Sequence, residues 1–248
     1  MVVGLIGAGT MGGFHAQTLR STPGVELRIY DVDPGRRTVA SLEECLDGAS
    51  CAVIASPSVT HAEMIRLCVD RGLPTFCEKP IDVSLEVTHL IADHVGSVGG
   101  TVQIGFQRRF DAAFKRVRSA VRDGSLGRVH GFTAATFDRT PPPLTYVAFS
   151  GGIYRDMHIH DFDSVRWVFG REVVEVCAFG SVLTDPGYEQ HQDVDTTGVM
   201  LRFDDGLLGV VCGGRVNADG YIARLDVYGS KQMASAREDR PYRDFLDR

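Results

Sequence analysis

Apolar and polar positions follow two different rhythms along the chain. In the first, continuous apolar runs of strand length alternate with stretches at helical spacing. Val2 to Ile6 predicts a buried strand, Phe14 to Arg20 a helix, and Glu26 to Tyr30 a second strand ending in Asp31. Cys51 to Ala55 is a further strand running into Ser56-Pro57, and helical spacing resumes from Thr60 to Arg71. Pro74 to Cys77 predicts a short strand ending in Glu78-Lys79-Pro80, Ser84 caps a helix reaching Val95, and Val102 to Phe106 is again a strand. A basic amphipathic helix then runs to about Asp123. Strand and helix in strict alternation predict a parallel, doubly wound sheet.

After Gly127 the rhythm changes. Val129 to Phe137, Glu172 to Val182, Thr196 to Phe203, Leu207 to Val211 and Arg224 to Tyr228 all predict strands, with Asp204-Asp205-Gly206 as a hairpin turn between two of them. One helix stands out in this half. It begins near Asp156, after the turn Ser150-Gly151-Gly152, and closes at Gly170. The expected architecture is an α/β Rossmann domain over residues 1–108, followed by an α+β domain with a mostly antiparallel sheet over residues 109–248. The cleft between two such domains is the place where a site is expected.

Composition narrows this only a little. The 248 residues suffice for two ordinary domains, and 44% hydrophobic with 23% charged residues is ordinary for a globular protein. A net charge of −6 offers no general attraction for nucleic acid or anionic membrane, and the apolar runs are too short to span a bilayer. Met1 leads directly into the first strand without a basic leader, and the six cysteines form no C-x-x-C pair. Both features predict a cytoplasmic protein with reduced thiols and no metal site.

Two stretches carry chemistry. Gly7-Ala8-Gly9-Thr10-Met11-Gly12 is G-x-G-x-x-G, with a strand before it, a helix after it and an acid, Asp31, 19 residues past its last glycine. That context is the dinucleotide fingerprint: tight turn, close backbone approach to a pyrophosphate, helix packing on strand, and a carboxylate for the ribose hydroxyls. Asp31 favours NAD over NADP because it repels a 2′-phosphate, with Arg36 and Arg37 read as a solvated turn. The second stretch is Asp156-Met157-His158-Ile159-His160-Asp161-Phe162-Asp163. On one continuous helix Asp156, His160 and Asp163 share a face, while His158 lies roughly 200° round from His160. A carboxylate beside an imidazole orients a general base; the plainer reading is a polar helix face with a satisfied histidine.

With these residues assembled, the chain resembles the Gfo/Idh/MocA family of nicotinamide oxidoreductases, and within it the inositol 2-dehydrogenase branch. The resemblance rests on Gly7 to Gly12, Asp31, Glu78-Lys79-Pro80, Gly105 to Asp111, Ser150 to Gly152 and Asp156 to Asp163. It implies that Lys79, Asp156 and His160 carry the chemistry. Gln107, Arg108, Asp163 and Tyr221 would line the substrate pocket beside them. Gly7, Gly9, Thr10, Met11, Gly12, Asp31, Ser56, Pro57, Glu78 and Lys79 would hold the cofactor. A cis Lys79-Pro80 bond is also implied, as is a homo-dimer or tetramer built on an open sheet face. Val199, Leu201, Leu208, Val210 and Val227 are the apolar side chains expected on that face.

Three departures from the family stand out. Asp31 to Leu42 has room for little more than a turn, and the chain stops where the family continues into a long helix, so the second domain is expected to be incomplete. Near the end, Asp219-Gly220-Tyr221-Ile222-Ala223-Arg224 replaces the inositol branch's Tyr-Gly-Tyr-Asp-Gln-Arg, which alters several polar contacts. The expected activity is NAD-dependent oxidation of a secondary alcohol of a cyclic polyol or sugar, with His160 as base. The alternative is a non-catalytic dinucleotide sensor of the same fold, against which the joint presence of Lys79, Asp156 and His160 argues. A metal hydrolase using His158, His160 and Asp161 is disfavoured by the opposed faces of the two histidines.

Overall fold

The computed structural model describes residues 1–238, which fall into two compact units divided after Gly105. The strands and helices follow in chain order. In the first unit they are β1 (Val2–Ile6), α1 (Thr10–Arg20), β2 (Glu26–Tyr30), α2 (Leu42–Leu46), β3 (Cys51–Ile54), α3 (His61–Asp70), β4 (Thr75–Cys77), α4 (Leu85–Ser97) and β5 (Val102–Ile104). All five strands are parallel, in the order β2-β1-β3-β4-β5. Successive connections from β1 therefore leave in opposite directions, and the crevice beyond the ends of β1 and β3 is the switch point of a doubly wound sheet.

The short link after Asp31 forms no extra strand. It folds back along the outer edge of β2, where Thr38 and Val39 donate their amides to the Ile29 carbonyl. Side-chain caps set the starts of the short α2 and of α4: Ser41 accepts from the Glu44 amide, and Ser84 from the Val87 amide. Cys45, Cys68 and Cys77 are buried. Burial pushes the thiols of Cys45 and Cys68 up to about 11, which makes them inert core side chains.

The second unit contains α5 (Ala112–Arg122), β6 (Val129–Phe137), α6 (Leu144–Ser150), α7 (Ile153–Asp156), α8 (Ile159–Phe169), β7 (Val173–Ser181), β8 (Thr196–Phe203), β9 (Leu208–Gly214), β10 (Ile222–Gly229) and β11 (Met233–Glu238). The sheet order is β11-β10-β6-β9-β8-β7, with every neighbouring pair antiparallel except β6 and β9. One face is covered. Phe114 and Val117 of α5 and Val165, Val168 and Phe169 of α8 pack with Phe132, Val199, Leu201, Val211, Leu225 and Val227 from the strands. Asp111 starts α5 by accepting from the Ala113 and Phe114 amides. Among the described residues no helix is long and apolar enough to cross a membrane.

Two expectations are corrected here. Val199, Leu201 and Val227 are at most 2% exposed and belong to the covered face, whereas Leu208 and Val210 are 45% and 38% exposed on the other. The register explains the division: Val199 pairs with Val211, and Met200 with Val210, so the open face carries Met200, Val210 and Leu208. Finally, the helix expected to run unbroken from Asp156 is two helices.

At that break Asp156, Met157 and His158 are all buried, at 8%, 4% and 0% exposure. The chain makes a wider turn there, in which the amides of both Met157 and His158 donate to the Ile153 carbonyl at 2.9 and 3.0 Å.

Candidate active site

In the first unit the glycine-rich turn behaves as its spacing demands. Gly7 sits at φ +90°, and a Cβ there would come within 2.5 Å of the Ser56 nitrogen. A Cβ on Gly12 would lie 2.1 Å from the Gly7 carbonyl oxygen, so the third glycine lets α1 press against the turn. Gly9 differs: a Cβ there meets nothing within 4 Å. Its bareness serves no internal packing and leaves backbone open at the N-terminus of α1, where unpaired amides favour an anion. Asp31, just past β2, accepts from the Ala8 amide at 2.7 Å and the Asp33 amide at 2.8 Å, one on each oxygen. A carboxylate has further lone pairs, so both oxygens can still accept from ribose hydroxyls. These features fit a dinucleotide.

The Ser56-Pro57 and Glu78-Lys79-Pro80 segments follow β3 and β4 in the same unit. His61, 1% exposed, joins them, with Nδ1 at 2.7 Å from the Pro80 carbonyl and Nε2 at 2.8 Å from the Ser56 carbonyl. Glu78 reaches across to α1, where His15 Nε2 lies 2.7 Å from its carboxylate. The Lys79-Pro80 bond is cis.

In the second unit several of the expected residues are taken up by contacts of their own. Arg108, which the resemblance placed in the substrate pocket, is 2% exposed and is taken up by a buried network. It donates to Asp161 at 2.5 Å and to Thr136 at 2.7 Å. His158 closes that network, with Nδ1 at 2.8 Å from Asp161 and Nε2 at 2.5 Å from the Thr197 hydroxyl. Burial opposes the Asp161 charge, but Arg108 and then His158 outweigh it and hold the carboxyl below the usual range. This is a framework joining β6, α8 and β8, and it explains why His158 turns inward. Asp163 is likewise occupied: Arg109 grips it through two bonds, at 2.9 and 2.5 Å.

Asp156, the last residue of α7, and His160, the second of α8, lie on either side of the break. His160, in the first turn of α8, is half-buried with its ring edge-on to Phe106, the centroids 6.3 Å apart. The Asp156 carboxylate accepts from the Tyr146 hydroxyl on one oxygen and from Arg215 on the other, both at 2.9 Å. Gln107 is exposed and Tyr221 half-buried. Tyr221 shares a hydrogen bond with Arg108, which connects the buried network to the expected pocket residues. Sequence reasoning missed Tyr146 and Arg215. Arg215 leaves a trace, as the one charged residue ending the apolar run from Leu207; Tyr146 leaves none.

Comparison with known proteins gives the same assignment over almost the whole chain. Residues 1–106 match the model of an oxidoreductase family with an NAD-binding Rossmann fold, and residues 114–235 match the GFO/IDH/MocA C-terminal domain. The chain is 36% identical to myo-inositol 2-dehydrogenase of Thermotoga maritima, covering 93% of this chain and 73% of that protein. It is 35% identical to inositol 2-dehydrogenase of Rhizobium meliloti, covering 96% and 76%. The crystal structure of a myo-inositol dehydrogenase from Corynebacterium glutamicum superposes with a TM-score of 0.88 at 34% identity, covering 95% of this chain and 74% of that one. The chain belongs to the Gfo/Idh/MocA family of oxidoreductases, enzymes acting on CH–OH groups, and its first unit is the family's NAD-binding domain.

Proposed function

We propose that the protein is an NAD-dependent dehydrogenase that oxidises one secondary alcohol of a cyclic polyol, inositol-like in class, to a ketone. The observation that carries this reading is the retention of Lys79, Asp156 and His160 together in a chain 36% identical to a myo-inositol 2-dehydrogenase. A dinucleotide sensor has no need of all three.

When bound, NAD supplies the hydride acceptor, held by Gly7, Gly9, Thr10, Met11 and Gly12 and by Asp31, with Ser56, Pro57 and Glu78 at the neighbouring strand ends. Asp31 sets the preference for NAD over NADP. Hydride leaves a secondary carbon readily only as the hydroxyl proton is removed, so a base must stand at that oxygen. His160 is that base in this reading. Asp156 stabilises the imidazolium that forms, and Lys79 offers a positive charge to the developing alkoxide. Gln107 and Tyr221 contact the other hydroxyls, while Arg108 and Asp163, committed to Asp161 and Arg109, shape the pocket from behind.

The test is a screen of NAD reduction over inositol isomers and aldoses. Turnover on at least one inositol isomer supports the reading, and NAD binding without turnover on any member supports the sensor.

A further inference from the structure

The break between α7 and α8 leaves Asp156 without a continuous helix to set its direction. It is the last residue of a four-residue helix, and a wide turn follows it. Two other elements hold its carboxylate. Arg215, just past β9, donates Nη1 to Oδ2, and Tyr146 of α6 donates its hydroxyl to Oδ1. Each oxygen is thereby tied to a different part of the unit.

Both donors are kept in the form the contact needs. Arg215 is 2% exposed. Burial opposes its charge, but Asp156 and then Asp138, 3.4 Å away, outweigh it and hold the guanidinium above its ordinary pKa. The Tyr146 ring is 47% exposed, yet partial burial of its hydroxyl, followed by the Asp156 charge, pushes the phenol up and keeps it a neutral donor. Arg215 Nε and Nη2 find no hydrogen-bond partner among the described residues. For stability alone, an apolar side chain commonly does as well as such a buried pair. What an apolar side chain cannot do is keep a neighbouring carboxylate ionised and aimed.

We propose that Arg215 and Tyr146 are positioning residues for the oxidation, a two-sided clamp that holds the Asp156 carboxylate in place where a helical turn does not. This rests on the reading of Asp156 as partner of the base. Neither residue touches a reacting atom; both act through Asp156.

A double-mutant cycle on the full chain tests it. Tyr146→Phe and Arg215→Lys are each made alone and together with Asp156→Asn, and NAD reduction by myo-inositol is followed alongside melting and NADH binding. Tyr146→Phe is expected to lower kcat about tenfold, the scale of one hydrogen bond to a charged group, with melting and NADH affinity unchanged. Arg215→Lys should lower it by roughly a hundredfold, the scale of a misplaced catalytic group. In the Asp156→Asn background each further loss should shrink to within about twofold, as coupled sites require. Should Arg215→Lys fail to fold, Tyr146→Phe decides alone, since a merely structural role for an exposed tyrosine leaves kcat untouched. Wild-type turnover with an unchanged Tyr146→Phe kcat, or an undiminished loss in the Asp156→Asn background, overturns the inference alone. A wild-type protein that binds NADH yet oxidises no polyol of the panel overturns the functional reading and the inference with it.

Discussion

Arg215 meets the carboxylate of Asp156 at 2.9 Å across 59 residues of sequence. The contact joins the end of a central strand to the end of a four-residue helix, and it makes Asp156 an anion with a fixed orientation rather than a solvated surface acid. Replacing that anion with a neutral amide of the same shape is expected to leave the fold standing and to remove the charge that, in the proposed mechanism, stabilises an imidazolium. Asp156→Asn should lower kcat by ~10²-fold or more, the scale of losing one preorganised electrostatic group. Steady-state rates at saturating NAD check this; a loss confined to KM would assign Asp156 to substrate binding instead.

The glycine turn gives a prediction that separates packing from ligand binding. A Cβ at Gly12 collides with the Gly7 carbonyl, so Gly12→Ala should destabilise the first unit even without cofactor. A Cβ at Gly9 meets only open space, so Gly9→Ala should melt as wild type while weakening NAD binding, by about tenfold or more. Calorimetric titration with NADH and a thermal melt on each variant provide the comparison. Equal NADH affinity for Gly9→Ala and wild type would place the pyrophosphate elsewhere.

Much of this was legible beforehand, for identifiable reasons. Strands such as Val2–Ile6 and Thr196–Phe203 are written in local apolar patterning, and Gly7 to Gly12 with Asp31 is a local solution to a local steric problem. What escaped depends on tertiary context. The β8–β9 register decides which valines face the core, and no pattern within either strand shows that Val199 lies opposite Val211. The α7–α8 break accompanies the anchoring of Asp156 by Arg215 and of His158 by Thr197, partners 59 and 39 residues away in the chain. Strand β11 was missed because its inward residues are alanines, Ala234 and Ala236, which carry little strand signal. The expected missing C-terminal helix concerns residues outside those described.

Asp195 predicts an acid limit to stability. It is 1% exposed, and its carboxylate accepts from the amides of Leu183, Thr184 and Asp185 and from the Thr184 and Thr196 hydroxyls. Burial opposes the charge, but these donors outweigh it and hold the carboxyl well below the usual range. A depressed folded pKa contributes stability that is complete above the unfolded value, about 3.9, and is lost as pH falls toward the folded one. Asp195→Asn should therefore cost about 2 kcal/mol or more near pH 7 and progressively less below about pH 4. Urea unfolding across that range measures it; a pH-independent cost would assign the effect to packing.

The face of the second sheet that the described residues leave open predicts self-association. Phe179, Met200 and Met233 are 75%, 53% and 53% exposed, and with Leu208 and Val210 they leave more apolar surface in water than one sheet face ordinarily shows. A second copy of the chain, sheet against sheet, is the expected partner. Light scattering should report a dimer or tetramer that Val210→Asp dissociates. A Val210→Asp mass equal to that of the wild-type assembly would move the interface away from this face.

The most direct measurement compares NADH formation from myo-inositol by the wild-type protein and by His160→Ala. Loss of a general base lowers kcat by ~10²–10⁴-fold while leaving cofactor binding nearly intact. The expected result is therefore robust turnover by the wild type, a His160→Ala rate reduced on that scale, and the same NADH affinity in both. A His160→Ala protein that oxidises the polyol at close to the wild-type rate would contradict the account.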